Sequence, residues 1–290
     1  MKIEQFRQEI SDYIYAQYSD YEIKNCDVIK NNGVQLCGIG VGKKGEAVCP
    51  SIYLEKYYER FLLGDNFDCI SKDIIKEACE ARYTYDFDPE FYKSFSNVKD
   101  YLMVKMVNTD KNQELLKDTP NREFLDLSFV VYCNLEDVFH MNASILVKDA
   151  HLKMWGIDRN ELIDIAYENT KKACVAIKSL VEVLSDEMNY MDKPHVNMYV
   201  MSFDNQYYGA VCMTFSEILD DFLKTRSGGV YILPSSVHEV ILLPEANIDG
   251  YESSNLNELV KTVNGECLDL EEILADHAYY YSKAEGYLFV

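Results

Sequence analysis

Hydrophobic and polar residues in the first part of the chain change from a helical spacing to strand-like runs and back. Apolar side chains recur at helical spacing from Ile3 to Tyr18, which predicts an amphipathic first helix. Two apolar runs flank the turn Asn31-Asn32-Gly33, whose residue types supply the positive φ angles of a tight hairpin. A second turn at Gly42-Lys43-Lys44-Gly45 leads to a run that ends at Tyr53, so we expect a three-stranded meander. The next expected elements are helices over Leu54–Leu63 and Ser71–Arg82, a strand over Tyr101–Val107 and a helical turn over Asn112–Leu116.

The second half of the chain repeats a plan in which a hairpin is followed by a helix. The apolar runs Phe124–Cys133 and Ala143–Val147 predict one hairpin, and a helix is predicted over Arg159–Ser185. The runs Val196–Phe203 and Gly209–Thr214 predict a second hairpin. Later expected elements are a helix over Phe215–Thr225, strands over Val230–Leu233 and Glu239–Leu243, helices around Glu258–Val263 and from Leu268, and a final strand region over Tyr279–Tyr281 and Tyr287–Val290.

These elements predict an α+β protein with antiparallel sheets and hairpin–helix units, arranged in two associated halves. Residues 1–120 are the expected N-terminal α+β unit, which contains the three-stranded meander. Residues 121–290 are the expected C-terminal α+β unit, which contains the repeated hairpin–helix plan. No linker rich in Gly, Ser or Pro marks the boundary between them.

Composition narrows the classes of partner. The chain has 49 acidic and 28 basic residues, giving a net charge of -21, and 48% of its residues are hydrophobic. Phosphate contacts need a basic face, so this charge argues against direct nucleic-acid binding, and an anionic membrane would repel the chain too. The N-terminal residues lack the apolar core of a signal peptide, and no run approaches the length of a membrane span. We therefore expect a cytoplasmic protein, kept soluble by its charge, whose partner is an unidentified protein.

The cysteines do not predict a disulfide framework or a zinc site. There are nine of them, their spacing is irregular, and no two form a CxxC pair. Most lie in apolar runs, where a free Cys behaves as a small hydrophobic residue. No cofactor is expected from any motif in the chain.

The segment from Tyr231 to Pro244 holds the candidate binding residues. Four polar side chains stand between two strongly apolar runs: Ser235, Ser236, His238 and Glu239. The pair His238-Glu239 begins like the zinc motif HExxH, but Leu242 stands where the second His is required. The interpretation that we favour is a turn whose hydroxyls satisfy backbone groups, with His238 and Glu239 capping or pairing locally. A binding surface on this turn is the functional alternative.

A serine hydrolase is a further alternative for this segment. Ser235 or Ser236 would act as nucleophile and His238 as its base. The glycines of the GxSxG elbow are absent, and residues so close in an extended segment seldom bring their side chains together. No catalytic residue is therefore assigned.

A glycine-rich stretch from Gly38 to Gly45 contains Gly-Lys and invites comparison with a phosphate-binding loop. Lys44 stands where such a loop needs Ser or Thr to bind magnesium, so the motif is incomplete. A hairpin turn is the expected explanation for these glycines.

Several stretches resemble one uncharacterised bacterial family. The string from Tyr231 to Pro244 fits a YxLPSSxHExxLxP signature shared by a domain-of-unknown-function family of gut clostridia and their relatives. The other stretches that carry the resemblance are Ser51–Tyr58, Asp126–Val131, Leu162–Asn169 and Leu259–Asn264. The resemblance extends from about Val28 to Tyr281 and implies no catalytic residue.

Together these observations predict a non-catalytic binding or protein-interaction module. One alternative is an acidic DNA mimic that inhibits a nuclease or a defence system, for which the net charge of -21 is the supporting feature. The other is the hydrolase that would use Ser235 or Ser236 with His238.

Overall fold

A computed structural model describes residues 1–44, 49–84, 89–135, 144–185, 197–247 and 253–290. The described residues form two compact units, one from residues 1–98 and 134–145 and the other from residues 99–133 and 146–290. The division into units 1–120 and 121–290 that the sequence suggested stays a prediction. The α+β class is confirmed, because helices accompany three sheets whose described strand pairs run antiparallel.

The first unit packs helices against the expected meander. Its elements are α1 Ile3–Gln17, β1 Tyr21–Ile29, β2 Gln35–Lys43, β3 Ser51–Tyr53, α2 Glu55–Leu62, α3 Phe67–Thr84, α4 Pro89–Lys93 and α5 Phe95–Val98. Phe6, Ile10 and Ile14 follow each other every four residues on α1, so they share the face that is buried in the core. Asn32 and Gly33 have φ angles of 57° and 72°, as the hairpin prediction requires.

The glycine-rich stretch has a different explanation from the one expected. Gly38 lies inside the central strand β2 rather than in a turn. A Cβ atom at this position would lie 2.5 Å from the carbonyl oxygen of Cys26 on the neighbouring strand. Close backbone approach therefore accounts for the glycine. Residues 45–48 of the expected second turn lie outside the described residues.

The second unit contains a six-stranded sheet and a smaller sheet built around β6. From Leu102 onward the chain forms β4 Leu102–Asn108, α6 Gln113–Leu116, β5 Asn121–Phe124, β6 Leu127–Asn134, β7 Ser144–Leu146, α7 Asp149–Trp155, α8 Arg159–Thr170, β8 Val175–Ser179, α9 Leu180–Ser185, β9 Tyr199–Phe203, α10 Ser216–Leu223, β10 Val230–Pro234, β11 Val240–Pro244, α11 Ser253–Cys267, β12 Tyr279–Ser282 and β13 Gly286–Phe289. All but β7 lie wholly or almost wholly in the second unit, and the first two residues of β7 belong to the first. The six strands lie in the order β13-β12-β10-β11-β9-β8, and the smaller sheet contains β4-β6-β5 in that order.

The predicted helix over Arg159–Ser185 was wrong in its middle part, since two helices, Arg159–Thr170 and Leu180–Ser185, flank a strand. Helix α8 ends at Thr170, and the chain then enters β8, which pairs with β9 from Val175 to Ser179. The side chain of Thr170 turns back to donate a hydrogen bond to the carbonyl of Ala166, 2.7 Å away, and accepts one from the Val104 N–H. The apolar run over residues 175–179 fits a strand as well as a helix, so periodicity alone did not reveal the break.

The predicted strand over Gly209–Thr214 was also wrong. This stretch is a 3₁₀ helix, and all six of its residues are buried. Its apolar character reflects full burial rather than the one-sided burial of an alternating strand. Another 3₁₀ helix, Leu270–Glu272, stands where a longer helix was expected to start at Leu268. The predicted strands on either side of Ser235 and Ser236 are confirmed as β10 and β11.

Candidate functional site

The turn between β10 and β11 is closed by its own polar groups. The backbone N–H groups of Ser235 and Ser236 both donate to the carbonyl oxygen of Glu239, each over 3.2 Å. The Ser235 hydroxyl donates to a Glu239 carboxylate oxygen at 3.3 Å, and the His238 N–H donates to Ser236 Oγ at 3.0 Å. The polar atoms of Ser235, Ser236 and Glu239 therefore form hydrogen bonds within the turn, as expected from their residue types.

Contacts outside the hairpin fix this turn in the second unit. The Val237 N–H donates to the carbonyl oxygen of Glu272 at 2.8 Å, and the Val237 side chain is buried. On the other side, the Ser202 hydroxyl donates to the His238 carbonyl oxygen, also at 2.8 Å. The backbone around His238 is consequently held from two directions.

The imidazole of His238 accepts a hydrogen bond from the chain. The Tyr208 N–H donates to His238 Nδ1 at 3.1 Å, so in the neutral ring the proton is carried by Nε2. Burial lowers the pKa of His238 below its ordinary value, Glu272 opposes this shift, and Lys105 adds to it. The neutral ring is therefore the form that the structure favours at pH 7.

His238 belongs to an aromatic cluster, by which we mean Tyr132, Tyr207, Tyr208 and His238. The rings of Tyr208 and His238 are stacked, with centroids 5.3 Å apart and an interplanar angle of 13°. Tyr207 lies 5.1 Å from His238, and Tyr132 meets Tyr208 edge-on at 5.1 Å. Such pairs add attraction beyond the burial of their surface.

A cation already sits on this cluster. The Lys105 ammonium lies 4.0 Å from the ring centroid of Tyr208 and donates to the Tyr208 hydroxyl at 2.9 Å. A cation over an aromatic face is attracted by the negative face of the ring. Strand β4, which carries Lys105, is thereby connected to the segment that carries Tyr208.

The segment from Asp204 to Tyr208 has an uncommon backbone. Gln206 and Tyr208 have φ angles of 56° and 54°, in the left-handed region that residues other than glycine seldom adopt. Holding a residue in this conformation costs free energy, so the conformation persists only where the surrounding structure imposes it. Such residues are common at functional sites. The Asn205 side chain accepts a hydrogen bond from the Tyr207 N–H at 3.1 Å, which closes the loop locally.

Gly209 is required directly after this loop. A Cβ atom at this position would lie 2.3 Å from the Ser202 hydroxyl oxygen and 2.7 Å from the His238 carbonyl oxygen. Only glycine lets the chain pass this close to β9 and to the hairpin turn. The loop is thus built to bring Tyr208 against His238.

A cavity of about 200 Å³ opens beside the loop. Tyr132 and Phe203 are its buried members, whereas Tyr207 is 47% exposed. Its lining residues are Met103, Tyr132, Ala173, Cys174, Phe203, Asp204, Asn205 and Tyr207. This volume is below the range of drug-sized ligand pockets and suits a single side chain.

Neither seryl hydroxyl of the hairpin is hydrogen-bonded to the imidazole of His238 in the described part of the chain. Ser236 is 7% exposed and accepts from the His238 backbone, while Ser235 donates to Glu239. A nucleophile and its base need a direct side-chain contact. The geometry therefore lends no support to hydrolysis at this turn.

The described ranges also contain no group of three or more His, Cys, Asp and Glu side chains arranged to hold a metal ion. Among the same residues, no helix is both long and apolar enough to cross a membrane.

Sequence reasoning identified His238 but missed the residues that surround it. The sequence does contain a local signal for the loop: the turn-forming residue Asn205 precedes two tyrosines and Gly209. No local signal links this loop to Lys105, which lies 103 residues before Tyr208.

One comparison with known proteins covers almost the whole chain. A family model described as a family of unknown function, DUF5688, matches residues 3–283. No curated protein and no solved structure matches the chain. The expectation of a domain-of-unknown-function family is thereby confirmed, and the chain belongs to the DUF5688 family.

Proposed function

We propose that this chain is a cytoplasmic, non-catalytic protein-interaction module whose binding surface is the loop from Asp204 to Tyr208 with the adjoining cavity. The observation that carries the proposal is Tyr207, a large aromatic side chain that is 47% exposed on a conformationally constrained loop. Tyrosines of this kind dominate the binding energy of many protein interfaces.

Rigidity of the loop supports this proposal. The Tyr208 ring is stacked on His238, and the Tyr208 N–H donates a hydrogen bond to the His238 ring. These two contacts fix the backbone position from which the neighbouring Tyr207 side chain extends. A side chain that is ordered before binding loses less conformational entropy when a partner docks. Such a loop favours recognition of a partner.

The four candidate binding residues take different parts in this surface. His238 is itself a member of the aromatic cluster and packs against Tyr207 and Tyr208. Ser235, Ser236 and Glu239 hold the turn that fixes His238, and we assign them a supporting role. Their hydrogen bonds within the hairpin are the basis of that assignment.

Among the described residues, no specific contact supports the alternative that the chain is an acidic DNA mimic. Several carboxylates of the second unit pair with basic side chains, as Asp164 does with Arg122 and Glu217 with Lys171. A DNA mimic depends on carboxylates that remain available at phosphate-like spacing. We therefore place the functional surface at Tyr207.

The proposal is tested by comparing proteins recovered with the tagged full-length chain from its native host. We expect partners recovered with the wild type to fall at least threefold with Tyr207→Ala, because the anchor of the interface is lost. Tyr15→Ala is the matched control, since Tyr15 is 61% exposed in the first unit. Circular dichroism would check that both variants remain folded. Recovery of the same proteins in the same amounts with all three chains would contradict the proposal.

A further inference from the structure

We propose that the cavity beside Tyr207 receives a cationic side chain, arginine or lysine, from a basic segment of the partner. This inference rests on the proposed interaction function and adds the chemistry of the partner. It is carried by the aromatic lining of the cavity and by the carboxylate that lines it, Asp204.

The aromatic lining supplies the first argument. Three aromatic residues, Tyr132, Phe203 and Tyr207, line one small cavity. Tyr132 and Tyr207 belong to the aromatic cluster, and Lys105 shows that this cluster attracts a cation, since its ammonium lies 4.0 Å from the Tyr208 ring centroid. A guest guanidinium or ammonium would meet further aromatic surface in the cavity and gain the same type of attraction.

Charge supplies the second argument. Asp204 is the one ionisable carboxylate among the lining residues, is exposed, and forms no ion pair within the described ranges. The whole chain carries a net charge of -21, which steers basic partners towards it and repels acidic ones. A guest carboxylate would meet repulsion from Asp204, whereas a guest cation would be paired.

Substitution of Lys105 can test whether the side chain bound in the cavity is positively or negatively charged. Its ammonium lies 6.0 Å from the ring centroid of Tyr132, which lines the cavity, so it repels a cation placed there and attracts an anion. Removing this charge should therefore strengthen the binding of a cationic guest. The same change should weaken the binding of an anionic guest.

The experiment follows the methyl resonance of Met103, which lines the cavity, in the full-length chain labelled with ¹³C-methyl methionine. The probes are N-acetyl-arginine N-methylamide and its citrulline counterpart, which has nearly the same shape without the charge. We expect a saturable shift of the Met103 resonance with the arginine probe and at least threefold weaker binding of the citrulline probe. Equal binding of the two probes would overturn the inference.

Three variants sharpen the result. Asp204→Asn should weaken binding of the arginine probe about three- to tenfold, because the pairing carboxylate is lost. Asp110→Asn is the matched control, since Asp110 is an exposed carboxylate of the same unit outside the cavity, and binding should not change. Lys105→Met should strengthen binding about twofold or more. Weaker binding with Lys105→Met, or no change with Asp204→Asn, would overturn the inference.

The two proposals fail in different ways. If Tyr207→Ala loses partners in the native host but both probes bind equally, the cationic guest is wrong and the interaction surface stands. If Tyr207→Ala loses no partner and the Met103 resonance does not respond to the arginine probe, both proposals are wrong.

Discussion

His238 shows at the scale of one residue how a polar side chain in an apolar setting acquires a structural role. The sequence placed it beside two serines and a glutamate, which is also the composition of a catalytic turn. In the structure its ring accepts from the Tyr208 backbone and stacks on the Tyr208 ring. The hydrogen bond requires an unprotonated Nδ1, so protonation of the ring removes a contact that holds the loop.

The pH dependence of stability follows from this contact. Burial lowers the pKa of His238 in the folded chain below its ordinary value of 6.5. As pH falls below about 6.5, the unfolded chain binds a proton that the folded chain resists, so the free energy of unfolding decreases. Carboxylates with lowered pKa, such as Asp126 and Asp276, titrate in a lower pH range and do not mask the effect. We therefore expect the titration of His238 to lower the free energy of unfolding between pH 7 and pH 5.

Urea unfolding of the wild type and His238→Gln at several pH values measures this contribution. The stability of the variant should decrease less steeply between pH 7 and pH 5 than that of the wild type. His151 also has a lowered pKa because of burial, but it is present in both chains and its effect cancels in the comparison. Parallel pH profiles for the two chains would show that His238 does not titrate as the structure requires.

At the scale of elements, local pattern predicted two hairpins correctly and the boundaries of buried segments poorly. The Asn31–Gly33 turn and the β10–β11 hairpin were correct, because turn residues between apolar runs leave a local signature. The stretches 171–179 and 209–214 were assigned wrongly, because short apolar runs fit a helix or a strand equally well. Tertiary contacts decided both cases.

The candidate site was predictable only in part, because tertiary contacts that leave no local sequence pattern also assemble it. His238 stands out in the sequence, since it interrupts two apolar runs. Its neighbours Tyr208 and Lys105 come from distant segments, and only the pairing of β9 with β11 and the packing of β4 bring them together. Sequence spacing carries no information on such contacts.

Gly209 gives a prediction at this scale. Gly209→Ala should lower the free energy of unfolding by about 1–3 kcal/mol, because the added methyl group overpacks the contact between the loop, β9 and the hairpin turn. Gly265→Ala is the matched control. Apart from the neighbouring residues and backbone of its own helix, no atom of the described residues lies within 4 Å of a Cβ at Gly265. Alanine in helix α11 should therefore stabilise the chain by about 0.5–1 kcal/mol. Urea unfolding curves of both variants provide the measurement, and equal stability of the two would contradict the assigned role of Gly209.

At the scale of the whole molecule, we propose that the acidic charge and the loop serve different stages of recognition. In this proposal the net charge of -21 acts at long range and favours encounter with a basic partner. The aromatic loop then acts at contact, where buried rings and a paired charge would determine how long the complex lasts. The family match spans residues 3–283, so the whole of the described second unit up to β12 falls within it.

Photo-cross-linking in the native host tests the central claim most directly. The photoreactive residue p-benzoylphenylalanine would replace Cys174, which is exposed and lines the cavity, and in a separate chain would replace Leu63, which is 88% exposed in the first unit. We predict a discrete adduct with a basic protein at position 174, absent at position 63 and reduced when Tyr207→Ala is added. No adduct at position 174, or the same adducts at both positions, would contradict the account.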